Sequence, residues 1–166
     1  MKDLLRRREF LSNAWKWSFG LAAAAGIWTS WDILQPTTPR GFGGTIRAGP
    51  VDLVSEDNVL VVPAARSYLT REGENIVALW SRCPHLGCRV PWCESSGEFE
   101  CPCHGTTFNR LGEHRSGPAP RGMDRFQTTV EDGIVTIDTG VIIEGPRLGT
   151  TTIDEPPGPA CTTGGE

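Results

Sequence analysis

The sequence predicts an all-β domain, an antiparallel β-sandwich or barrel carrying a small inserted lobe, preceded by one N-terminal transmembrane helix. Three observations carry this expectation. From residue 45 onward short β-rich runs alternate with turn residues, and none keeps a helical period over ten residues. The stretch from Cys83 to Gly122 interrupts that rhythm with loops rich in Cys, Pro and Gly, as an insertion that builds a site would. Gly and Pro number 20 and 13 among 166 residues, which favours a loop-rich β domain over a helical one.

The length allows one domain of ordinary size plus an appendage. With 16 basic and 20 acidic residues the net charge is -4, and beyond the first twenty positions no Lys/Arg cluster is interleaved with aromatics. Nucleic acid is therefore excluded as a partner.

The appendage comes first. "RRREFL", residues 6 to 11, precedes an apolar, Ala-rich stretch at 17 to 31. It resembles a twin-arginine export signal, with Arg7, Arg8, Phe10 and Leu11 at the informative positions, and such signals export already folded proteins. The uncharged run between Lys16 and Asp32 is 15 residues long, about 22 Å as helix and short for a span. Lys16 can snorkel, however, and Trp15, Trp17, Trp28 and Trp31 stand like interfacial anchors, so that 13 to 34 suffices. Cleavage near Ala23 to Ala25 would leave a stunted apolar region, so a retained signal anchor is expected over 1–34. Lys2, Arg6, Arg7, Arg8 and Lys16 put the N-terminus in the cytoplasm of a bacterial cell. A single pass then leaves the rest on the outer, periplasmic side of the cytoplasmic membrane, where disulfides persist.

Residues 35–46, "QPTTPRGFGG" and its continuation, read as a linker or hinge, stiff at its prolines and flexible at its glycines. The β domain is expected over 47–141, with strands at "VDLV" (51), "NVLVV" (58), "SYLT" (67), "NIVALW" (75), "FQTTV" (126) and "GIVTID" (133). "REGEN" at 71 and "EDG" at 131 read as hairpin turns. The inserted lobe spans about 82–122. The tail, 142–166, is poor in large apolar residues and is expected to run over the surface or stay partly disordered.

The chemistry lies in the lobe. Cys83-x-His85 and Cys101-x-x-His104 offer two thiolates and two imidazoles at metal-ligand spacing, a set that by composition alone also fits a tetrahedral zinc site. Cys88 and Cys103 stand in the same two loops.

"CPHLGC" (83 to 88) and "CPCHG" (101 to 105) resemble the paired signatures of the Rieske iron-sulfur proteins of cytochrome bc-type quinol oxidoreductase complexes. "GPAP" (117 to 120) resembles that family's proline loop over the cluster, and "VPW" (90 to 92) extends the likeness. The resemblance implies one [2Fe-2S] cluster, with Cys83 and Cys101 on one iron, His85 and His104 on the other, and a disulfide between Cys88 and Cys103. Around it the resemblance places Leu86, Gly117, Pro118, Thr106 and Phe108. Thr106 falls where a serine commonly bonds a cluster sulfur, and Phe108 falls where many members have a tyrosine that bonds a cysteine sulfur. His114, the remaining histidine, matches no ligand position and reads as a surface loop residue. Cys93 and Cys161 have no counterpart and either pair, stapling the tail to the lobe, or stay free.

Two neutral imidazoles in place of two thiolates remove two negative charges and raise the reduction potential to roughly -150 to +300 mV. Reduction takes the site from neutral to -1, which raises the imidazole pKa values and couples electron to proton uptake. The resemblance therefore implies quinol oxidation, with His104 before His85 as the catalytic contact. It also implies a membrane-bound and dimeric complex with a cytochrome b subunit and a c-type cytochrome. Losing the tyrosine donor at 108 would lower the potential and suit menaquinol. Ten extended linker residues reach about 33 Å, enough for a shuttling head. A second reading, an electron-relay subunit of a molybdoenzyme such as arsenite oxidase, needs neither quinol contact nor swing.

Overall fold

The computed structural model describes residues 7–35, 42–56 and 58–161. Among these the chain forms two units, a helix and a β domain.

Helix α1 runs from Arg7 to Leu34, 28 residues or about 42 Å. Its apolar side chains lie all round it, and from Phe10 to Leu34 its large ones are exposed. No helix among the described residues is long and apolar enough to cross a membrane. The N-terminal helix has the length expected of a span but not the apolarity: Ser12, Asn13, Lys16, Ser18, Thr29, Ser30 and Asp32 dilute the Ala-rich centre. Of the export signal, Arg7 and Arg8 begin the helix, and Arg6 lies outside the described residues.

The β domain holds two antiparallel sheets. Strands β1 (Thr45–Pro50), β2 (Leu60–Val62), β3 (Ser67–Glu72), β4 (Asn75–Trp80), β9 (Arg125–Glu131) and β10 (Ile134–Ile143) make the larger one, in the order β1-β10-β9-β4-β3-β2. Strands β5 (Trp92–Cys93), β6 (Glu98–Glu100), β7 (Thr107–Phe108) and β8 (His114–Ser116) make the smaller one in chain order. Both expected hairpins form with two-residue turns: Glu72 pairs with Asn75, and Glu131 with Ile134. "VDLV" is not a strand. Behind Pro50 its first three residues, Val51–Leu53, make a 3₁₀ turn closed by Val54 N–H on the Val51 carbonyl, which takes the chain round the sheet edge.

Alternation along the strands builds two cores. On β10, Val135 and Ile137 point inward and join Ile46, Leu69, Ala78 and Phe126 in the base core. On β3 and β4 the other faces are buried as well. Tyr68 and Leu79, a register pair, enter a second core with Val90, Phe99, Phe108, Met123, Cys83 and Cys101. Tyr68 stacks on Phe99 at 4.9 Å, and its hydroxyl donates to the Val90 carbonyl at 2.9 Å. The hairpin β3–β4 is thereby the shared wall that carries the lobe.

Part of the segment expected as linker, from Phe42 to Ile46, packs into the β domain. Residues 36–41 lie outside the described residues, but Phe42 packs its ring against Trp80 and Phe126, both at 5.9 Å. The Gly43 and Gly44 N–H groups donate to Thr139 Oγ1. The aromatic between the glycines finds a core slot, so the flexible half is docked.

The tail runs over the surface, the first of its two expected courses, and Cys93 pairs with Cys161. Up to Cys161 it is strapped across the lobe, and 162–166 lie outside the described residues. The fully buried Glu113 accepts hydrogen bonds from Thr152 N–H, Thr152 Oγ1 and Asn109 Nδ2. Buried Glu100 accepts from Cys161 N–H and Ser96 Oγ, Arg115 pairs with Asp154 at 2.8 Å, and Cys93 is bonded to Cys161. Low apolar content did not leave it loose, because buried carboxylates supply the anchors.

Burial alone would raise the Glu113 carboxyl, but the donors from Thr152 and Asn109 outweigh it and hold the group below the usual glutamate range. A depressed carboxylate stabilises the fold above its unfolded pKa, and that stability is lost as pH falls through the lowered folded value. Denaturant midpoints measured from about pH 6 to about pH 3 should therefore converge for wild type and Glu113→Gln, wild type being the more stable at the upper end.

Candidate iron-sulfur centre

Two loops of six residues make one end of the lobe, and they share one hydrogen-bond scheme. In the first, Cys83 N–H donates to the Cys88 carbonyl and Gly87 N–H to the Cys83 carbonyl, at 2.8 and 2.9 Å. In the second, Cys101 N–H donates to the Thr106 carbonyl and Gly105 N–H to the Cys101 carbonyl, at 2.8 and 3.1 Å. Each loop has Cys first and Pro second, and its fifth position has φ +83 in one and +68 in the other, the left-handed region that glycine enters without strain. The loops differ in where histidine stands, third in the first loop and fourth in the second, where Cys103 takes the third place.

This framework sorts the candidate ligands into an inner and an outer pair. Cys83 and Cys101 are free and buried, in contact through their thiols. His85 is half-buried and His104 exposed, with ring centroids 4.8 Å apart at 81°. Burial pushes the Cys83 thiol up, against the backbone N–H groups of His85 and Leu86 that donate to its sulfur and would favour the thiolate. Leu86 is 70% exposed at the tip.

Cys88 and Cys103 are joined, with Cα atoms 6.6 Å apart, and the bond ties one loop to the other. The sulfurs of Cys88, Cys101 and Cys103 lie within 4.8 Å of one another, but two of the three are that disulfide, so the trio is no ligand set. By chain entropy, closing a 15-residue loop is worth about 3 kcal/mol, and the 68-residue closure at Cys93–Cys161 about 4 kcal/mol.

The proline loop covers the second loop closely. A Cβ on Gly117 would stand 2.5 Å from Thr106 Cα and 2.9 Å from its Oγ1. Thr106 is fully buried, and its hydroxyl has no partner among the described residues. That orphaned donor, beside two free buried thiols and an outward imidazole pair, fits a group with sulfur acceptors and metal sites for both sulfur and nitrogen ligands.

Comparison with known proteins accords with this geometry. The family model described as Rieske [2Fe-2S] domain matches residues 46–129. The chain belongs to that family. Its Rieske domain is similar to the cytochrome b6-f complex iron-sulfur subunit 2 of Synechocystis sp., 31% identical over 77% of this chain and 81% of the relative. The cytochrome b6-f complex iron-sulfur subunit of Gloeobacter violaceus is 46% identical over 63% of this chain, which spans about half (52%) of that relative. Among solved structures, the cyanobacterial plasma membrane Rieske protein of Synechocystis is 26% identical, with 55% of this chain and 97% of that one covered at a TM-score of 0.43. The cofactor of this Rieske domain is a [2Fe-2S] cluster, and the chain is an electron-transport protein of the oxidoreductase class.

Three residues gain roles that the sequence reading did not assign. His114 lies on β8, half-buried rather than in a surface loop, and its Nε2 donates to the Gly117 carbonyl at 3.0 Å while its ring meets Phe108 edge-on at 6.1 Å. Glu100 and Glu113 moor the strap; a carboxylate inside a short strand run offers no signal that its partner lies forty or sixty residues away. Gly117→Ala should lower the denaturant midpoint by the equivalent of about 2 kcal/mol, from overpacking and strain at φ +92, and should cut the iron retained per chain, measured colorimetrically.

Proposed function

We propose that this chain is the Rieske subunit of a cytochrome bc-type complex, oxidising quinol and passing one electron to a c-type cytochrome or a similar acceptor. The observation that carries this reading is the exposed His104 imidazole beside His85, above two buried thiols. Cys83 and Cys101 hold one iron and His85 and His104 the other. When bound, the cluster supplies a one-electron acceptor whose reduction raises the basicity of its imidazoles.

The protein's part is placement. His104, at the open side, accepts the hydrogen bond from the quinol hydroxyl and holds the proton on its outer ring nitrogen. Exposed Leu86 gives the tip an apolar edge that suits a quinol pocket within a membrane subunit. The Thr106 hydroxyl donates to a cluster sulfur, while the fully buried Phe108 ring has no donor to offer there. One donor fewer stabilises the reduced state less, lowers the potential and suits menaquinol. Two of the relatives are iron-sulfur subunits of cytochrome b6-f complexes, which supports a cytochrome partner.

The helix anchors the chain in the bacterial cytoplasmic membrane with its N-terminus inside. Its length, its exposed apolar surface and the tryptophans near both ends support this, and helices of the partner subunits shelter the polar positions that dilute it. Phe42 is docked against Trp80 and Phe126 and so belongs to the β domain rather than to a hinge.

Purifying the full chain from its native membrane should bring down a di-haem cytochrome b; recovery with a large molybdopterin subunit instead would overturn the assignment. In a redox titration Phe108→Tyr should shift the midpoint upward, and no shift would remove the case for a low-potential quinol.

A further inference from the structure

A cleft of about 620 Å³ opens in the β domain beside the first cysteine loop. Arg66, Arg82, Arg89, Ser67, Trp80 and Val62 line it, and no carboxylate among the described residues does. The three arginines are brought together by the backbone. Ser81 N–H donates to the Arg66 carbonyl and Val90 N–H to the Ser81 carbonyl, both at 2.9 Å, and Arg82 faces Arg89 across an isolated antiparallel bridge.

Like charges facing across such a pair are destabilising unless something neutralises them. Arg71, Arg110, Arg115 and Arg121 each reach a carboxylate, whereas no ion pair among the described residues involves Arg66, Arg82 or Arg89. The Arg82 guanidinium lies 5.1 Å over the Trp80 ring and that of Arg66 5.2 Å over Phe42, which positions both without cancelling their charge. Arg66 has φ +49, a left-handed conformation that is strained for a residue with a Cβ. Ser67, only 2% exposed, has a hydroxyl with no hydrogen-bond partner.

We propose that this cleft is a binding site for an organic anion, a phosphate or carboxylate carried on a flat apolar body. The guanidinium forks take the oxygens in paired hydrogen bonds, the Ser67 hydroxyl is a spare donor at the floor, and Trp80 with Val62 forms the wall for the apolar part. A soluble organic phosphate and an anionic lipid headgroup present the same chemistry.

The test uses the full, cluster-loaded chain in non-ionic detergent at low salt, titrated calorimetrically with phenyl phosphate and with inorganic phosphate. Phenyl phosphate should bind saturably at one site and more tightly than inorganic phosphate. The double variant Arg66→Gly/Arg89→Gln should lose at least tenfold in affinity, and Arg47→Gln, an exposed arginine outside the cleft, should keep it. Glycine suits the left-handed position, so an unchanged thermal midpoint will show that the double variant is folded. Absence of saturation, undiminished binding by the double variant, or an equal loss in Arg47→Gln would overturn the site; equal affinity for the two phosphates would overturn the apolar wall. Competition by phosphatidylglycerol bicelles, and none by phosphatidylcholine bicelles, assigns the site to a lipid headgroup; competition by neither assigns it to a soluble anion.

Discussion

Two cysteines buried side by side at the edge of an apolar core are the constraint that organises the lobe. Cys83 and Cys101 are withdrawn from water into the same cluster of side chains as Phe99 and Phe108, and at Cys83 burial disfavours the thiolate that metal binding requires. The loops answer with backbone N–H groups aimed at the Cys83 sulfur. To present them, each loop closes on itself through the same two hydrogen bonds, which sets the turn geometry. The inter-loop disulfide, the proline loop resting on Thr106 and the His114 bond to Gly117 then hold the two turns at one separation.

The lobe stands on a wall shared with the base. Tyr68 and Leu79 lie directly opposite each other on β3 and β4 and face the lobe, while their neighbours Leu69 and Ala78, also opposite, face the base core. A slip of one residue in this hairpin would exchange the two faces and empty both cores at once. The position of the iron site is therefore tied to the register of one β-hairpin through the Tyr68 ring on Phe99 and its hydroxyl on the Val90 carbonyl.

Legibility in the sequence followed the range of the interactions. Hairpins at "REGEN" and "EDG" were readable because turn chemistry is local, and the loop motifs because their spacing serves one site. The four strands of the smaller sheet have two or three residues each, too few for a period to register, and "VDLV" has strand composition but follows a proline at a sheet edge. Phe42 between glycines reads as linker, and only its pocket beside Trp80 and Phe126 makes it core. The surface course of the tail was legible in its composition, but what holds it down was not. Its attachment depends on Glu100 and Glu113, whose burial cannot be inferred from charged residues amid polar neighbours. In the N-terminal segment four tryptophans and an alanine run signal a membrane anchor, while the polar residues among them weaken that signal.

The strap has a consequence for dissecting the molecule. The region that defines the family, 46–129, stops before β10 and before all of the tail. A fragment cut to that boundary would strip the base sheet of the strand joining β1 to β9, leave Glu100 and Glu113 without their tail donors, and free one cysteine of a disulfide. A piece from Phe42 to Cys161 keeps the Phe42 packing, both sheets and the tail donors to Glu100 and Glu113. Recognition and folding autonomy thus have different limits along this chain, and a soluble head prepared for spectroscopy should follow the second.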